Sequence, residues 1–556
     1  MPVNLGWNVW TWIALGIAVV AIVSLLSVKY VKKKILLRLT QEFGQTPKKS
    51  YVDMEEIAAY HGYYKKNVVY DKRIDDITWN DLNMDEVFQR INACSCSVGE
   101  EYLYHVLREM EADNQALKRR ERLIKWMEQN PEKRIQIQKK LLGIGKKRNN
   151  RLSYYLFHAN AKVLKFAWVF TVMAFFPIVG IGILSFSVTA GIITILSSIA
   201  ANIVVYSVLR MRIEGEMDSM QCFFALLYSA KKISKGFERE FSMMDYSLRT
   251  KIKPFKNLGG RISGNAQRGL SEVEALIVIV KAIFLVDPIH YNRTVRVMNQ
   301  YQKELRELYQ TMGEIDLAIS IASFRQSIKQ CCLPEFTEEN RISCVEVFHP
   351  LLEDPVVNSA NITNNSIVTG SNASGKSTFI KTLAINCILA QTIHTCTAKC
   401  YKLSYSYVAT SMALKDNILF GESYFVAEIK SLLRILNYCK RMSCTIFIDE
   451  VLRGTNTPER IAASTAVLKT LHEMQSLTLV ASHDIELTEL LCDRYDNYHF
   501  CETFEDDQIS FDYLLKEGAA RSTNAIKLLK YMGFEKKIVE EATWLVTERE
   551  KEKERS

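Results

Sequence analysis

Proline and glycine are scarce in this chain of 556 residues, at 10 and 23. That scarcity excludes collagen-like and low-complexity organisation, and so few turn formers imply long helices. A regular cysteine framework is missing too. The 13 cysteines are odd in number and irregular in spacing, which excludes a disulfide scaffold and suits free cytoplasmic thiols. No internal repeat is evident, so a solenoid is excluded. Charged residues make up only 24% and hydrophobic residues 48%, which excludes a disordered chain. The length allows roughly three or four domain-sized units. The net charge of +9 permits nucleic acid or an anionic membrane face as a partner and proves neither.

What the chain does have is three long uncharged runs. The first, residues 9–28, is about the 20 residues needed to cross hydrocarbon. Lys29, Lys32, Lys33 and Lys34 follow it, and no Lys or Arg precedes it. The positive-inside rule then places the N-terminus outside and residue 29 onward in the cytoplasm. A cleaved signal peptide, the alternative, would carry its positive charge before the apolar run. The second run, 166–186, is preceded by Lys162 and Lys165; the third, 188–209, is followed by Arg210 and Arg212. They read as a membrane hairpin with both ends in the cytoplasm, a pair of buried core helices being the alternative. Pro177, Gly180 and Gly182 are tolerated in spans. Asn202, strongly polar within the third run, is expected to face another helix. The expected localisation is the cell membrane, multi-pass, with the soluble parts in the cytoplasm.

Those soluble parts read as mostly helical. Tyr102, Leu103, Val106 and Leu107 mark one amphipathic face. Periodic runs recur at 217–233, 272–289 and 295–324, with a basic, Gly-containing loop at 251–268 between them. The basic stretch 118–125 reads as a solvated helix face, with nucleic-acid contact as the alternative. His394, Cys396 and Cys400 could be zinc ligands, but the spacing is not a standard one and buried thiols are the simpler reading.

The strongest signal is Gly370-Ser371-Asn372-Ala373-Ser374-Gly375-Lys376-Ser377-Thr378, which fits G-x-x-x-x-G-K-[ST] in full. A β-type run precedes it and a helical pattern follows, the context that a phosphate-binding P-loop requires. Its glycines let backbone N–H groups close around phosphate oxygens, and the helix N-terminus adds partial positive charge. Lys376 is expected to reach the β- and γ-phosphates of ATP, and Ser377 to offer a hydroxyl to Mg²⁺. Further on, an apolar strand ends in Asp449 and Glu450. Asp449 is expected to hold Mg²⁺ and Glu450 to activate the attacking water. A second buried strand ends at His483, which reads as a γ-phosphate sensor.

In this order the motifs resemble the C-terminal ATPase domain, domain V, of the MutS family, an ABC-type ATPase. The run from Asp449 through Arg453, Gly454 and Asn456 to Thr457 is similar to its Walker B and D-loop. Ser482-His483-Asp484 resembles its switch, and Ser423-Tyr424-Phe425-Val426-Ala427-Glu428 its signature segment. His349-Pro350 resembles the opening of the domain, and Gly518-Ala519-Ala520-Arg521-Ser522 its C-terminal dimerisation segment. Upstream, Val98-Gly99-Glu100-Glu101-Tyr102-Leu103 looks like the start of the family's helical lever domain, and Gly313-Glu314-Ile315-Asp316 leads into its end.

The resemblance implies an α/β P-loop ATPase domain, an all-α lever or core domain and, with the apolar runs, three transmembrane helices. The implied layout is a first span at 1–28, a linker at 29–73, and lever halves at 74–165 and 210–339 around a membrane hairpin at 166–209. The ATPase domain follows at 340–515 and a dimerisation segment at 516–556. It also implies a head-to-tail homodimer that hydrolyses ATP with Mg²⁺. Gly370, Asn372, Ser374, Gly375, Lys376, Ser377, Thr378 and His349 would bind nucleotide, with Ser423 supplied in trans. DNA binding is implied as well, although no mismatch-reading domain has a counterpart before residue 74. Pro355-Val356-Val357 offers no aromatic where the family stacks one on adenine. A nucleotide-gated membrane module without a DNA role is the alternative; a transporter fits poorly, because the spans carry no substrate-lining charges.

Overall fold

The structure is a computed structural model. It describes residues 9–48, 53–111, 113–146, 152–158, 162–234, 242–258, 272–371, 374–412, 424–474, 476–505, 508–519 and 532–555, with residues 526 and 529. The chain divides into two compact units. One comprises Met1–Val69, Asn92–Tyr104 and Leu123–Ser327, and the other Tyr70–Ile91, His105–Arg122 and Ile328–Ser556. The segment 74–165 is therefore shared between the units.

The described helices up to Ser327 are α1 (Val9–Glu42), α2 (Met54–Asn67), α3 (Asp76–Asp81), α4 (Met84–Ile91), α5 (Ser97–Arg108), α6 (Asn114–Gln129), α7 (Pro131–Leu141), α8 (Leu152–His158), α9 (Ala167–Ile183), α10 (Val188–Ile233), α11 (Ser242–Ile252), α12 (Glu272–Ile283), α13 (Val286–Gln300) and α14 (Gln302–Ser327). Apart from α3, α4 and parts of α5 and α6, they form the first unit. Its core gathers around α14, where Leu305, Leu308, Tyr309, Met312, Ile315 and Ile319 recur at helical spacing and are buried. Tyr60 of α2 stacks on Tyr309 with ring centroids 5.0 Å apart. The two stretches that resemblance assigned to the start and the end of a lever domain lie against each other. A Cβ on Gly313 would lie 2.5 Å from Tyr102 Cβ, so glycine lets the helices close. The buried Asp316 carboxylate accepts the backbone N–H groups of Ser95 at 2.9 Å and Cys96 at 3.0 Å.

The apolar runs emerge as helices with different bounds. The helix α1 continues past residue 28 to Glu42, and α10 runs unbroken for 46 residues from the third apolar run into the periodic segment after it. Among the described residues two helices, Ala14–Glu42 and Val188–Ile233, are long and apolar enough to cross a membrane. The third, α9, has 17 residues. At 1.5 Å per residue it spans roughly 25 Å, short of the ~30 Å hydrocarbon core. The expectation of three spanning helices is therefore not supported: two helices are long and apolar enough to cross, and α9 is a shorter apolar helix.

The close pairing of α9 with α10 follows from small residues. A Cβ on Gly180 would lie 2.6 Å from Ile195 Cγ1, and one on Gly191 2.6 Å from Leu184 Cδ2. Pro177 has no N–H to offer the Met173 carbonyl one turn earlier. Asn202 of α10 supplies it instead, donating to Met173 O at 3.1 Å. The basic segment expected to be a loop at 251–268 begins as helix: α11 reaches Ile252, a 3₁₀ turn follows at Lys253–Phe255, and residues 259–268 lie outside the described part. On α6, Lys118, Arg119, Arg122 and Lys125 are exposed while Leu117, Leu123 and Ile124 are buried, the pattern of a solvated face.

The second unit is α/β. Its strands are β1 (Glu335–Thr337), β2 (Ile342–Val347), β3 (Asn358–Ile362), β4 (Ser366–Thr369), β5 (Cys400–Ser404), β6 (Tyr407–Ser411), β7 (Cys444–Asp449), β8 (Leu477–Ala481), β9 (Asp496–His499), β10 (Glu502–Glu505), β11 (Gln508–Phe511) and β12 (Lys516–Glu517). The helices are α15 (Lys376–Ile393), α16 (Tyr424–Cys439), α17 (Thr457–Glu473), α18 (Glu486–Leu490) and α19 (Lys536–Arg555). The main sheet has the order β12-β9-β4-β8-β7-β6 and is parallel except at β12. Every residue of β4, β6, β7 and β8 is buried, as expected of parallel strands covered on both faces. A mixed sheet, β1-β5-β2-β3, and the hairpin β10-β11 complete the unit. The short helix α3 docks on this α/β unit: Asp81 accepts from Thr410 Oγ1 at 2.6 Å and from the Met412 N–H at 3.1 Å.

Candidate active site

Strand order places a crevice beside β4. From β4 the chain crosses to β6 at one edge and returns inward through β7 and β8, whereas from β8 it leaves for β9 on the other side. The carboxyl ends of β4 and β8 flank that reversal, where open α/β sheets bind ligands. The chain leaves β4 at Gly370 with φ +142°, and a Cβ there would lie 2.5 Å from Phe500 O. Gly375, φ +102°, caps α15. Both positions need glycine, and they bring the loop round to the free N–H groups of the helix.

Lys376 is buried and donates to two carbonyls of its own loop, Gly370 O at 2.5 Å and Ser371 O at 2.7 Å. Burial lowers its pKa below the ordinary lysine value, while Glu450 and Asp449 pull it back. Ser377 Oγ donates to Asp449 Oδ1 at 3.0 Å. Ser374 is buried, with its hydroxyl on Ser371 O at 2.8 Å. Thr378 is exposed on the first turn of α15.

Glu450 follows β7 directly and has φ +64°, a conformation that non-glycine residues seldom adopt. Its N–H donates to Ala481 O of β8 at 2.9 Å. Its carboxylate pairs with Arg453 Nε and lies 3.3 Å from His483 Nδ1. Burial works to raise the Glu450 pKa, but the hydrogen bonds from His483 and Arg453 outweigh it and hold the carboxyl below its usual range. The same bond to Glu450 raises the His483 imidazole above its usual value. The histidine is braced in turn: Ser482 N–H donates to Val368 O of β4 at 3.0 Å, and Arg460 grips Asp484 through two bonds of 2.6 and 3.0 Å. Glu428 of α16 accepts the N–H groups of Leu452 and Arg453, the latter at 3.3 Å, and so fixes the turn after Glu450.

Five of the residues singled out in the sequence, Lys376, Ser377, Asp449, Glu450 and His483, thus converge. His349 is tied to its own turn, its Nδ1 accepting from Leu351 N–H at 3.3 Å; burial and the nearby Lys381 push its pKa down to about 4. Asn372 and Ser423 lie outside the described residues. His394, Cys396 and Cys400 form no metal cluster. The His394 ring faces Glu121 Oε2 at 3.4 Å, and Cys396 exchanges backbone hydrogen bonds with Cys332.

Sequence pattern missed three contributors. Glu502 accepts from Ser371 Oγ at 3.3 Å, Tyr513 Cδ1 would lie 3.2 Å from a Cβ on Gly375, and Arg460 clamps Asp484. None belongs to a short motif; Glu502 and Tyr513 arrive because the chain after β9 folds back over the loop. Chemically, the assembly offers a backbone and lysine cradle for phosphate, a hydroxyl and a carboxylate for a hard divalent cation, and a carboxylate–imidazole pair for a water.

An α/β domain with a phosphate cradle at the switch point of its sheet is the class these features define. Residues 366–550 match the family model described as MutS domain V. The chain is 32% identical over 253 residues to the DNA mismatch repair protein MutS of Aquifex pyrophilus, covering 44% of this chain and 29% of that protein. It is 29% identical over 302 residues to the protein of that name from Leptospira interrogans serovar Lai, covering 51% and 35%. It is also 29% identical over 250 residues to one from Thermus thermophilus, covering 44% and 30%. Residues 366–550 are thus similar to MutS domain V, and the chain spans about a third of the length of these relatives.

Proposed function

We propose that the α/β unit is an ABC-type P-loop ATPase that hydrolyses ATP at this site. The observation that carries the proposal is the convergence of Ser377 with Asp449 and of Glu450 with His483 beside the loop of Lys376. The oxygens of Ser377 and Asp449 suit Mg²⁺, which takes hard oxygen ligands and keeps several places for water and phosphate. When bound, the metal would supply charge neutralisation on the phosphates. Lys376 exchanges its two carbonyl partners for phosphate oxygens. Glu450, kept ionised, accepts the proton of the attacking water. His483 reports on the terminal phosphate through its bond to Glu450. Tyr513 offers its ring beside Gly375 as a platform for the base, in place of the aromatic that Pro355-Val356-Val357 lacks. The test is Glu450→Gln, expected to bind ATP while losing turnover by about 10²-fold or more. Hydrolysis at the parent rate would refute the assignment.

The wider reading is a membrane-anchored homodimer. Ser423 of one protomer completes the site of the other, and turnover moves the helical lever domain. The apolar helices α1 and α10, with the shorter α9 packed against α10, anchor the chain in the cell membrane, with the soluble parts in the cytoplasm beside Lys29, Lys162, Lys165, Arg210 and Arg212. DNA is the partner suggested by the names of the relatives. Salt-dependent binding of duplex, branched and mismatched DNA by the purified protein tests it. A nucleotide-gated membrane module without a DNA role is the second reading. Absence of DNA binding at low salt would select it.

A further inference from the structure

Five consecutive apolar side chains on α12, Leu276, Ile277, Val278, Ile279 and Val280, are exposed to between 37% and 62%. At about 3.6 residues per turn, five successive positions go all the way round a helix. In water such a run is buried or broken by polar residues. Yet the end of α12 is firmly held. Ala282 and Leu285 are buried with Tyr206, against Phe170 and Met173 of α9. Asn202 donates to the carbonyl of Ile283, the last residue of α12, at 2.7 Å. Leu285, φ +48°, then turns the chain into α13.

These contacts set α12 beside the uncharged part of α10. Asn202 precedes Arg210 by eight residues, roughly 12 Å along the helix. The ionisable groups between those levels are paired. Tyr206 OH donates to Asp287 Oδ2 at 2.8 Å, Lys281 Nζ lies 3.2 Å from Asp287 Oδ1, and Arg210 donates to Tyr206 OH at 3.5 Å. Pairing of this kind is what a low dielectric demands. Between α10 and α12 runs a groove of about 380 Å³, lined by Ile203, Met211, Val278, Ile279, Arg210 and Glu214.

We propose that α12 and the turn into α13 form a re-entrant hairpin immersed in the cytoplasmic leaflet. Its tip lies beside Asn202, and lipid acyl chains cover residues 276–280 and enter the groove. Arg210 lies at the level of the anionic headgroups, and the deeper Lys281 is neutralised by Asp287 at 3.2 Å. A depth of roughly 10 Å is that of interfacial helices. The proposal rests on the membrane placement of α9 and α10 above. It adds a membrane segment to a stretch whose pattern reads as one of several soluble helices.

Photo-crosslinking in native membranes tests it. The full chain is produced with p-benzoylphenylalanine in place of Ile279, of Ile193 in the third apolar run, or of Tyr228 on the exposed cytoplasmic part of α10. Adducts are identified by mass spectrometry, with Tyr228 setting the background. Phospholipid adducts at both Ile193 and Ile279 are expected. Lipid at Ile193 with none at Ile279 would overturn the hairpin and leave the membrane placement standing. A protein adduct at Ile279 would overturn it in favour of another chain as the cover. No lipid at Ile193 would remove the membrane placement, and the hairpin with it.

Discussion

Ser377 and Asp449 meet across the sheet, the serine hydroxyl donating to the aspartate Oδ1 at 3.0 Å. One residue lies in the first turn of α15 and the other closes β7, so the bond ties the helix start to the strand that leads into Glu450. Asp449→Asn keeps the shape and removes the negative charge. ATP turnover is expected to fall by about 10²-fold or more, with a higher Mg²⁺ requirement, because charge is lost where the phosphates are neutralised. Metal-dependent hydrolysis assays check this; an unchanged Mg²⁺ titration would remove Asp449 from the metal site.

The bond between Glu450 and His483 predicts a pH window. Glu450 is held below its ordinary 4.5, so its contribution is complete above that value and fades as pH falls through the lowered pKa. His483 is raised above its ordinary 6.5, so its contribution is complete below that value and fades as pH rises through the raised pKa. The pair is at full strength between those ordinary values. NMR titration of His483 should give a midpoint above 6.5 that moves down in Glu450→Gln. A midpoint indifferent to that substitution would mean the pair does not form in solution.

Tyr513 reaches the phosphate loop from the segment after β11, its ring against Gly375 and stacked at 5.8 Å on Phe511. Removing a stacking ring costs about 1–3 kcal/mol per base. Tyr513→Ala is therefore expected to weaken ATP binding roughly tenfold or more, and Tyr513→Phe to retain it. Calorimetry on both variants checks this, and equal loss in the two would assign the role to the hydroxyl.

How much of this was legible in the sequence depends on whether the signal is local. The P-loop, the β7 carboxylates and the strand before His483 each sit in one short stretch, and each has the strand or helix expected of it. The contact between Gly99 and Asp316 was not legible: resemblance put the two stretches at the start and the end of one domain, and only the fold brings residues so far apart in the chain together. Glu502, Tyr513 and Arg460 were invisible because topology, not spacing, brings them to the site. Helix lengths were misjudged where an apolar run and an amphipathic run join without a break: α10 has no proline to end it at Leu209. The same continuity hid α12, whose apolar residues read as an ordinary core stripe until their exposure was known.

Within the helical unit, Glu101 is buried, and burial pushes its carboxyl up to about 8 against the pull of Tyr309 and Ser153. In the unfolded chain the group titrates near its ordinary 4.5. Between those values folding takes up a proton, so stability falls as pH rises from 4.5 toward 8. Glu101→Gln removes the penalty. It should raise the melting temperature by several degrees at pH 8 and change it little at pH 5, as thermal unfolding at the two pH values would show. An equal shift at both would mean that Glu101 is ionised in the fold.

Gly99 has Asp316 where its side chain would be: a Cβ would lie 2.2 Å from the carboxylate Oδ2. That carboxylate cannot retreat without releasing the Ser95 and Cys96 N–H groups it holds in a buried place. Helix propensity points the other way, since alanine is better than glycine in a helix by about 1 kcal/mol. Over-packing at about 1–3 kcal/mol, with the loss of buried hydrogen bonds added, outweighs it. Gly99→Ala should therefore lower the melting temperature of the purified protein. Gly215 of α10 supplies the matched control, because nothing lies within 4 Å of its added Cβ. There propensity acts alone, and Gly215→Ala should be neutral or slightly stabilising. If both substitutions shift the melting temperature upward, Asp316 does not occupy the space beside Gly99, and the join between α5 and α14 is looser than the 2.9–3.0 Å bonds imply.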